Sequence, residues 1–186
     1  ALSSGLSLMP GQAQTLAVTS AVQDEGKTMV ASNLARIRAG LGDRVILIDA
    51  NLRQAAGGTA GKGRKGGLAA ILGRGGERTL EDELVPSGIP NMSVLPAGGP
   101  SSDPYSLMSS ERMRALLEQA APLADLIVLD TPSLLTAAES QVVCSLCDQT
   151  ILVVDSNSTG AKDAVEARDL LERVNANTLG VVLTRV

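Results

Sequence analysis

The segment 20–28, with the sequence SAVQDEGKT, contains the residues best suited to chemistry. It lies between a short apolar run and a helix-patterned stretch, so Gly26, Lys27 and Thr28 direct backbone N–H groups and the positive end of a helix dipole at one point. In such a loop the lysine reaches the outer phosphates of a nucleotide and the threonine hydroxyl holds Mg²⁺. Ala21 replaces the first glycine of the general motif. The context predicts a phosphate-binding loop, and the simpler alternative is an ordinary turn with an exposed lysine.

Two aspartates, Asp49 and Asp130, end the apolar runs VILID and LIVLD. In a parallel sheet the carboxyl ends of such strands meet at the edge that also carries the phosphate loop. Phosphoryl transfer needs carboxylates there to position Mg²⁺ and to orient the attacking group. Each aspartate alone is equally well explained as a turn or helix-cap residue. As a pair beside a phosphate loop, they indicate a site for a metal-bound nucleotide.

The composition excludes several kinds of function. The 186 residues include no histidine, and Tyr105 is the only aromatic residue. A histidine base and nucleic-acid binding by base stacking are therefore excluded, and the net charge of −4 also argues against nucleic acid. No apolar stretch reaches the ~20 residues that a membrane span needs, and we expect no signal peptide. With two cysteines, the chain is expected to work in a reducing compartment.

The apolar pattern predicts one α/β domain over residues 1–186, with 1–13 as a trimmed or flexible N-terminal segment. Runs rich in Val, Ile and Leu predict strands buried on both faces at 15–19, 45–48, 92–95, 126–129, 150–154 and 179–183. Helical patterns lie between them at 28–41, 109–121 and 161–174. This alternation predicts a doubly wound, mostly parallel sheet flanked by helices in three layers.

The helical periodicity also predicts which side chains face the core. These are, helix by helix, Val30, Leu34 and Ile37; Met113, Leu116 and Leu117; and Ala164, Val165, Leu171 and Val174. Two Gly-rich stretches are predicted to be loops, namely 54–67, which includes Lys62, Arg64 and Lys65, and 96–104. The three basic residues are explained as a solvated loop, or alternatively as a contact for a partner, an acidic lipid surface or the nucleotide.

Three motifs occur in order: T-S-x-x-x-x-E-G-K-T at 19–28, an apolar run followed by D-x-N-x-R at 49–53, and an apolar run followed by D-T-P-S at 130–133. This set resembles the catalytic domain of the bacterial tyrosine kinases that control capsule and exopolysaccharide synthesis. That family belongs to the deviant Walker group of P-loop NTPases. The stretches 91–117 and 180–186 are similar to the same family, and the resemblance runs from residue 14 to the end.

The resemblance implies an ATP-dependent protein-tyrosine kinase, able to phosphorylate itself, that regulates capsule or exopolysaccharide biosynthesis and export. ATP or ADP and Mg²⁺ would be its cofactors. Its expected partners are a membrane-embedded polysaccharide co-polymerase or activator, fused upstream or separate, a tyrosine-bearing protein substrate and further copies of the chain. It would work in the cytoplasm at the inner face of the cell membrane, and no nucleic acid would take part.

The same resemblance implies a role for each matched residue. Lys27, Asp49, Arg53 and Asp130 would form the catalytic set, with Asp49 as the base toward a tyrosine hydroxyl and Arg53 organising the site. Mg²⁺ would be held, partly through water, by Thr28, Asp49, Asn51 and Asp130. Nucleotide contacts would come from the loop and from the end of the chain, where such domains bind adenine: Gln23, Asp24, Glu25, Gly26, Lys27, Thr28, Met29, Thr184 and Arg185.

Some positions depart from the family pattern. Asn51 replaces the second aspartate of D-x-D-x-R, so we expect weaker Mg²⁺ binding or slower transfer. Ser133 replaces the last proline of D-T-P-P, and the given sequence ends at Val186 without the Tyr-rich tail of the family. The first residues, ALSSGLSLMPG, contain no arginine for the ring assembly of the family, so either the sequence is trimmed or this member does not assemble in that way. These departures leave a catalytically weakened ATP-binding regulatory module as one alternative. Another is a switch ATPase of the partition or cell-division type, although Val22 replaces the extra lysine typical of that group.

Two weaker signals have an ordinary structural explanation. Cys144 and Cys147 lie on a predicted helix, but zinc needs about four ligands and the chain has no histidine and no other cysteine. They are predicted to be small buried side chains. Tyr105 lies among Ser and Pro in a predicted loop and could accept phosphate, although a lone tyrosine more often packs with its hydroxyl at the surface.

Overall fold

The computed structural model describes residues 14–53, 66–73, 78–109 and 111–186. In these residues the strands are β1 (Gln14–Ser20), β2 (Val45–Asp49), β3 (Val85–Pro86), β4 (Met92–Leu95), β5 (Leu126–Asp130), β6 (Gln149–Asp155) and β7 (Thr178–Thr184). The helices are α1 (Lys27–Gly40), α2 (Leu68–Leu72), α3 (Leu80–Glu83), α4 (Pro104–Met108), α5 (Glu111–Ala120), α6 (Ala138–Leu146) and α7 (Ala161–Arg173), with a 3₁₀ turn at Ala121–Leu123.

The described strands form one sheet in the order β3-β4-β2-β5-β1-β6-β7. All neighbours are parallel except β3, which pairs antiparallel with β4. Every residue of β2 and β5 is buried, as the continuous apolar runs predict for strands covered on both faces. The doubly wound α/β fold is confirmed, and each of the six predicted strands is present within one residue of its expected bounds. The two-residue β3 was not predicted.

Helices cover both faces of the sheet, unequally. Helix α1 packs on one face, where Ala31, Leu34 and Ala35 meet alternate residues of the strands. Helices α2 to α7 contribute to the core on the other face. The parallel strands all end at the edge from which α1 and α6 begin, so the loops after β1, β2 and β5 lie together there. Below, this is called the carboxyl edge, and the opposite one is called the amino edge.

The predicted core faces of two helices are wrong in part. On α1, Ile37 is 55% exposed, and the buried residues are Ala31, Leu34, Ala35, Arg38 and Ala39. The small alanines let α1 approach the sheet closely, and the buried Arg38 pairs with the partly exposed Asp43. On α7, Val165 is 48% exposed, and the fully buried residues are Ala167 and Leu171. The α5 prediction is confirmed, since Met113, Leu116 and Leu117 are all buried.

The stretch 96–104 is not a simple surface loop. Its first residues pack against the start of α2, where Leu68 N–H donates to the Pro96 carbonyl over 2.8 Å. Its last residues cap and begin α4: the Asp103 carboxylate accepts from the N–H of Ser106, and Pro104 is the first helical residue. Tyr105 therefore lies in a helical turn, half exposed, rather than in a loop. Lys62, Arg64 and Lys65 lie outside the described residues.

Cys144 and Cys147 are buried free thiols at the end of α6, as predicted. Burial raises the pKa of Cys144 to about 12 and that of Cys147 well above its ordinary value, which keeps both protonated and unreactive. Within the described ranges, no group of three or more acidic or cysteine side chains gathers as a closed metal site. In the same part of the chain, no helix has both the length and the apolar character needed to cross a membrane.

Candidate nucleotide and metal site

The predicted phosphate loop connects β1 to α1 at the carboxyl edge. Gly26 is the N-cap of α1 with φ +89°, and Asp24 also has a positive φ of 61°. Gly26 has no side chain to cap the helix, so it leaves the N–H groups of the first turn of α1 without a cap from this position. Such a backbone arrangement at a helix N-terminus binds anions, phosphate above all.

The buried side chain of Glu25 holds this loop in place by hydrogen bonds. It is fully buried, and its carboxylate accepts hydrogen bonds from Val22 N–H (2.6 Å), from Asp155 N–H (3.2 Å) and from the Thr159 hydroxyl. The sequence-based prediction placed Glu25 among the nucleotide contacts. Its side chain instead faces the protein, because three donors satisfy the buried charge there. Only the backbone of Glu25 remains able to meet a phosphate.

Thr184 and Arg185, at the end of β7, hold the same loop. The Thr184 hydroxyl donates to the Glu25 carbonyl (2.8 Å), and the Arg185 guanidinium bridges the Asp155 carboxylate (2.8 Å) and the Asp24 carbonyl (2.9 Å). Both predicted residues therefore lie directly beside the loop, with these polar groups engaged by protein. These contacts hold the phosphate loop against the ends of β6 and β7.

Asp49 and Asp130 lie side by side at the carboxyl edge. They are partners in the parallel pairing of β2 with β5, and they are only 8% and 7% exposed. Burial raises the pKa of Asp49, and it raises the pKa of Asp130 to about 6. The hydrogen bond from Thr28 and the charge of Lys27 act to lower the pKa of Asp130, while the charge of Asp49 raises it further. The two strands thus bring both acids to the beginning of α1.

One oxygen of Asp130 fits the requirements of a bound divalent cation. Its Oδ1 is buried and has no hydrogen-bond partner among the described residues. An orphaned carboxylate oxygen is rare in a folded protein and calls for an unseen water or ion. Mg²⁺ binds through one or two carboxylates, retains several waters and takes its other ligands from the phosphates of a nucleotide. Two acids and the Thr28 hydroxyl suit such an ion, so the donor set fits Mg²⁺.

The side-chain oxygen of Asn51 accepts a hydrogen bond within the turn that follows β2. The Asp49 carboxylate accepts from Asn51 N–H (3.1 Å), and the Asn51 side-chain oxygen accepts from Arg53 N–H (3.2 Å). Successive turns of this kind are typical of Asp and Asn after a strand. The oxygen predicted to serve the metal therefore holds the loop that follows β2.

Arg53 makes a contact that the sequence did not predict. Its Nε and Nη2 both donate to the carboxylate of Glu139, in the first turn of α6, with the Nη2 bond at 2.9 Å. The Glu139 side chain is only 1% exposed, whereas that of Arg53 is 49% exposed. In the sequence, an acid in the first turn of a helix is adequately explained by the helix dipole, so nothing marked Glu139 as a partner.

The loop after β5 is hydrogen-bonded to the end of β1 and to the phosphate loop. Leu134 N–H donates to the Ser20 carbonyl (2.8 Å), and the Pro132 carbonyl accepts from the hydroxyls of Thr19 and Ser140. Ser133, which replaces a proline of the family pattern, pairs its hydroxyl with that of Thr136 at 2.6 Å. With Ser133 in place of the proline, the loop beside Asp130 thus gains a side-chain hydrogen bond.

The other predicted nucleotide contacts lie on the open side of the loop. Gln23, Thr28 and Met29 are exposed, and Lys27 is partly exposed at the first position of α1. Met29 is 55% exposed. The start of α1 therefore leaves a charged group, a hydroxyl and an apolar side chain accessible.

Comparison with known proteins finds relatives over almost the whole chain. The scan against family profiles gives no match. The chain is 31% identical to the tyrosine-protein kinase YwqD of Bacillus subtilis over 92% of its length, and covers 72% of that protein. It is 27% identical to the tyrosine-protein kinase CpsD of Streptococcus agalactiae, of which it covers 75%. It is 29% identical to the succinoglycan biosynthesis transport protein ExoP of Rhizobium meliloti, of which it covers only 23%.

Solved structures give the same result. The kinase domain of the Escherichia coli tyrosine kinase ETK superposes with a TM-score of 0.85 at 30% identity, over 95% of this chain and 69% of that one. The VpsO kinase domain gives 0.83 at 29% identity, over 94% and 85%. The septum site-determining protein MinD of Pyrococcus horikoshii, solved with Mg-ADP, gives 0.72 at 19% identity, over 92% and 70%. At that identity, MinD shares the fold alone.

Proposed function

The chain belongs to the family of bacterial tyrosine-protein kinases, and from that premise we propose that its carboxyl edge binds Mg·ATP and transfers the γ-phosphoryl group to a tyrosine hydroxyl. The observation that carries the proposal is the pairing of Asp49 with Asp130 beside the phosphate loop, with one buried oxygen of Asp130 lacking a partner in the described residues. Two adjacent carboxylates, one of which has an oxygen without a hydrogen-bond partner, suit a metal-bound phosphate.

Each residue of the site has a definite part in this proposal. The N–H groups of the loop and the ammonium of Lys27 hold the phosphates and offset the negative charge that spreads over them during transfer. The Thr28 hydroxyl and Asp130 would hold the metal, Asp130 partly through water, and Asp49 would assist them. Mg²⁺, when bound, would neutralise part of the negative charge on the phosphates. Phosphoryl transfer depends mainly on such positioning, so the absence of histidine from the sequence is no obstacle.

Asp49 is proposed as the base. Its burial raises its pKa, which makes it a better proton acceptor than an exposed aspartate. It takes the proton of the tyrosine hydroxyl as the new O–P bond forms and the bond to ADP breaks. Arg53 does not reach toward the phosphates in this arrangement. Its guanidinium is held by Glu139, so its proposed role is to fix the loop that carries Asp49.

The wider setting is proposed from the relatives. ExoP is named for succinoglycan biosynthesis and transport, and the chain matches only a part of it. We therefore assign the chain to the regulation of capsule or exopolysaccharide export. It would act at the inner face of the membrane with a membrane-embedded polysaccharide co-polymerase, fused or separate.

The test is transfer to a peptide. Tyr105 is the only tyrosine of the sequence, so a Tyr105→Phe chain has no acceptor of its own. This variant, incubated with Mg·ATP and a tyrosine-rich peptide, is expected to form phosphotyrosine on the peptide. ATP hydrolysis with nucleotide-dependent dimers and no phosphotyrosine would instead indicate a switch ATPase. Nucleotide binding with neither product would indicate a regulatory module.

A further inference from the structure

Two arginine–carboxylate pairs connect the segments that flank β2 and β5, one pair at each end of the strands. At the amino edge, Arg44 precedes β2 and pairs with Asp125, which precedes β5, at 2.7 Å. At the carboxyl edge, Arg53 follows β2 and pairs with Glu139, beyond β5. The same two strands are thus clamped at both ends, but only the second clamp lies beside Asp49 and Asp130.

The second clamp is built on a buried charge. The Glu139 side chain is 1% exposed, whereas that of Asp125 is 37% exposed. Burial opposes ionisation of Glu139, yet the hydrogen bonds from Arg53 lower its pKa overall. Removing Arg53 would leave the buried charge of Glu139 uncompensated, which is more costly than breaking an exposed pair such as Arg44–Asp125. The geometry of Arg53 is therefore tied firmly to α6.

The positions of the pair connect it to the two acids. Arg53 lies four residues after Asp49, and its own N–H is held by Asn51, which in turn donates to Asp49. Glu139 lies nine residues after Asp130, in the helix that the loop after β5 leads into. Two buried like charges on adjacent strands repel each other, and in a parallel sheet their strands are about 4.8 Å apart. The clamp opposes any widening of this gap.

We propose that Glu139 is a positioning residue for the divalent cation. Acting through Arg53, it keeps the loop of Asp49 at the separation from Asp130 at which one ion can be shared. Affinity for Mg²⁺ therefore depends on Glu139, whereas affinity for the nucleotide phosphates, which the loop between β1 and α1 provides, does not. The inference rests on the proposed Mg·nucleotide site. It goes beyond it by separating the residue that tunes the metal from those that bind the phosphates.

The experiment measures ADP affinity by calorimetry, once with Mg²⁺ and once with EDTA. In Glu139→Gln, the dissociation constant in EDTA divided by that in Mg²⁺ is expected to fall at least about tenfold from its wild-type value. A loss of this size is typical when a residue that positions metal ligands is removed. The dissociation constant in EDTA should stay within about twofold of the wild-type value. Asp125→Asn, which breaks the matching clamp at the amino edge, should change neither quantity.

Two further variants keep the inference testable if Glu139→Gln folds poorly. Glu139→Asp retains the charge and should recover part of the Mg²⁺ dependence, while Arg53→Lys loses the bidentate contact and should weaken it. A normal ratio in folded Glu139→Gln, or an equal loss of affinity with and without Mg²⁺, would overturn this inference alone. A wild-type chain that binds no nucleotide would overturn both the inference and the proposed function.

Discussion

Asp125 and Asp148, at the amino edge of the sheet, are satisfied by protein donors, whereas Asp130, at the carboxyl edge, is satisfied only in part. At the amino edge, Asp125 receives hydrogen bonds from the backbone, Nε and Nη2 of Arg44, and Asp148 receives two from Thr15. The hydrogen bonds from Arg44 lower the pKa of Asp125. At the carboxyl edge, Asp130 has one buried oxygen without a partner among the described residues, and burial raises its pKa to about 6.

The acids at the amino edge stabilise the fold, whereas those at the carboxyl edge are available for function. Acids that are paired with arginine contribute to folding as they stand. A buried pair of acids with an unmet oxygen costs stability until a cation arrives. Because β2 and β5 are clamped at both ends, the fold tolerates this repulsion at the edge where the phosphate loop lies. Four substitutions test this difference between the two edges, and they are given below in order of decreasing effect.

Asp49→Asn should have the largest effect. It removes the proposed base while keeping the size of the side chain, so phosphotyrosine formation on a peptide should fall by about 10²–10⁴-fold. Asp125→Asn makes the same change at the amino edge and should leave the transfer rate within about twofold. Equal losses in both variants would mean that the fold, rather than the chemistry, had been damaged.

Asp130→Asn should stabilise the metal-free protein. The pKa of Asp130 in the folded chain, about 6, lies above its ordinary value of 3.8, so the native state binds more protons than the unfolded state between these values. Wild-type stability should fall as pH rises through this window and then level off. The corresponding gain for the variant is up to about 3 kcal/mol above pH 7.

Denaturant unfolding at several pH values, without metal, measures this gain. The difference between Asp130→Asn and wild type should close well below the ordinary pKa of 3.8, where the carboxyl is protonated in both states. Asp125→Asn should have the opposite sign and cost about 1 kcal/mol or less, as expected for an exposed pair. A variant at Asp130 that is less stable than wild type at pH 7.5 would contradict the account.

Gly26→Ala should cost about 1–2 kcal/mol and weaken nucleotide binding, because its φ of +89° is unfavourable for any residue with a Cβ. Space is not the obstacle, since the nearest atom to an added Cβ is Thr184 Cγ2 at 3.5 Å. Gly40→Ala, at the end of the same helix and in open space, should instead stabilise by about 0.5–1 kcal/mol. Thermal unfolding and ADP titration of the two variants test this contrast.

Asn51→Asp should have the smallest effect. It restores the second acid of the family motif beside Asp49, so the Mg²⁺ concentration for half-maximal transfer should fall about two- to fivefold. The turn to Arg53 N–H is preserved, because a carboxylate oxygen accepts as the amide oxygen does. Asn91→Asp adds the same charge before β4, at the amino edge, and should leave the Mg²⁺ requirement unchanged. A rise in the requirement for Asn51→Asp would show that the asparagine is favourable as it stands.

Much of the fold could be predicted because strands buried on both faces are continuous apolar runs, and aspartates that end such runs mark the carboxyl edge. The two-residue β3 could not be predicted, since so short an edge strand containing Pro86 depends on its partner β4. Ile37 was misplaced because helical periodicity does not reveal that alanines would form the contact face of α1.

The phosphate loop and the two acids could also be predicted from the sequence, whereas the residues that hold them in place could not. Glu25 is part of the recognised motif, yet only the tertiary fold brings Asp155 and Thr159 within reach of its carboxylate. Glu139 lies 86 residues from Arg53 along the chain, and nothing local distinguishes it from an ordinary acid at a helix start. Contacts over such separations are set by strand order, which the sequence does not state.

The most direct test of the central claim is calorimetry of the wild-type chain and Asp130→Asn with ADP, each in Mg²⁺ and in EDTA. The account predicts that wild type binds ADP more tightly with Mg²⁺ than without it, and that the variant loses most of this difference while still binding in EDTA. No heat from the wild-type chain, or equal affinities in Mg²⁺ and EDTA, would contradict the claim that the carboxyl edge is built for a metal-bound nucleotide.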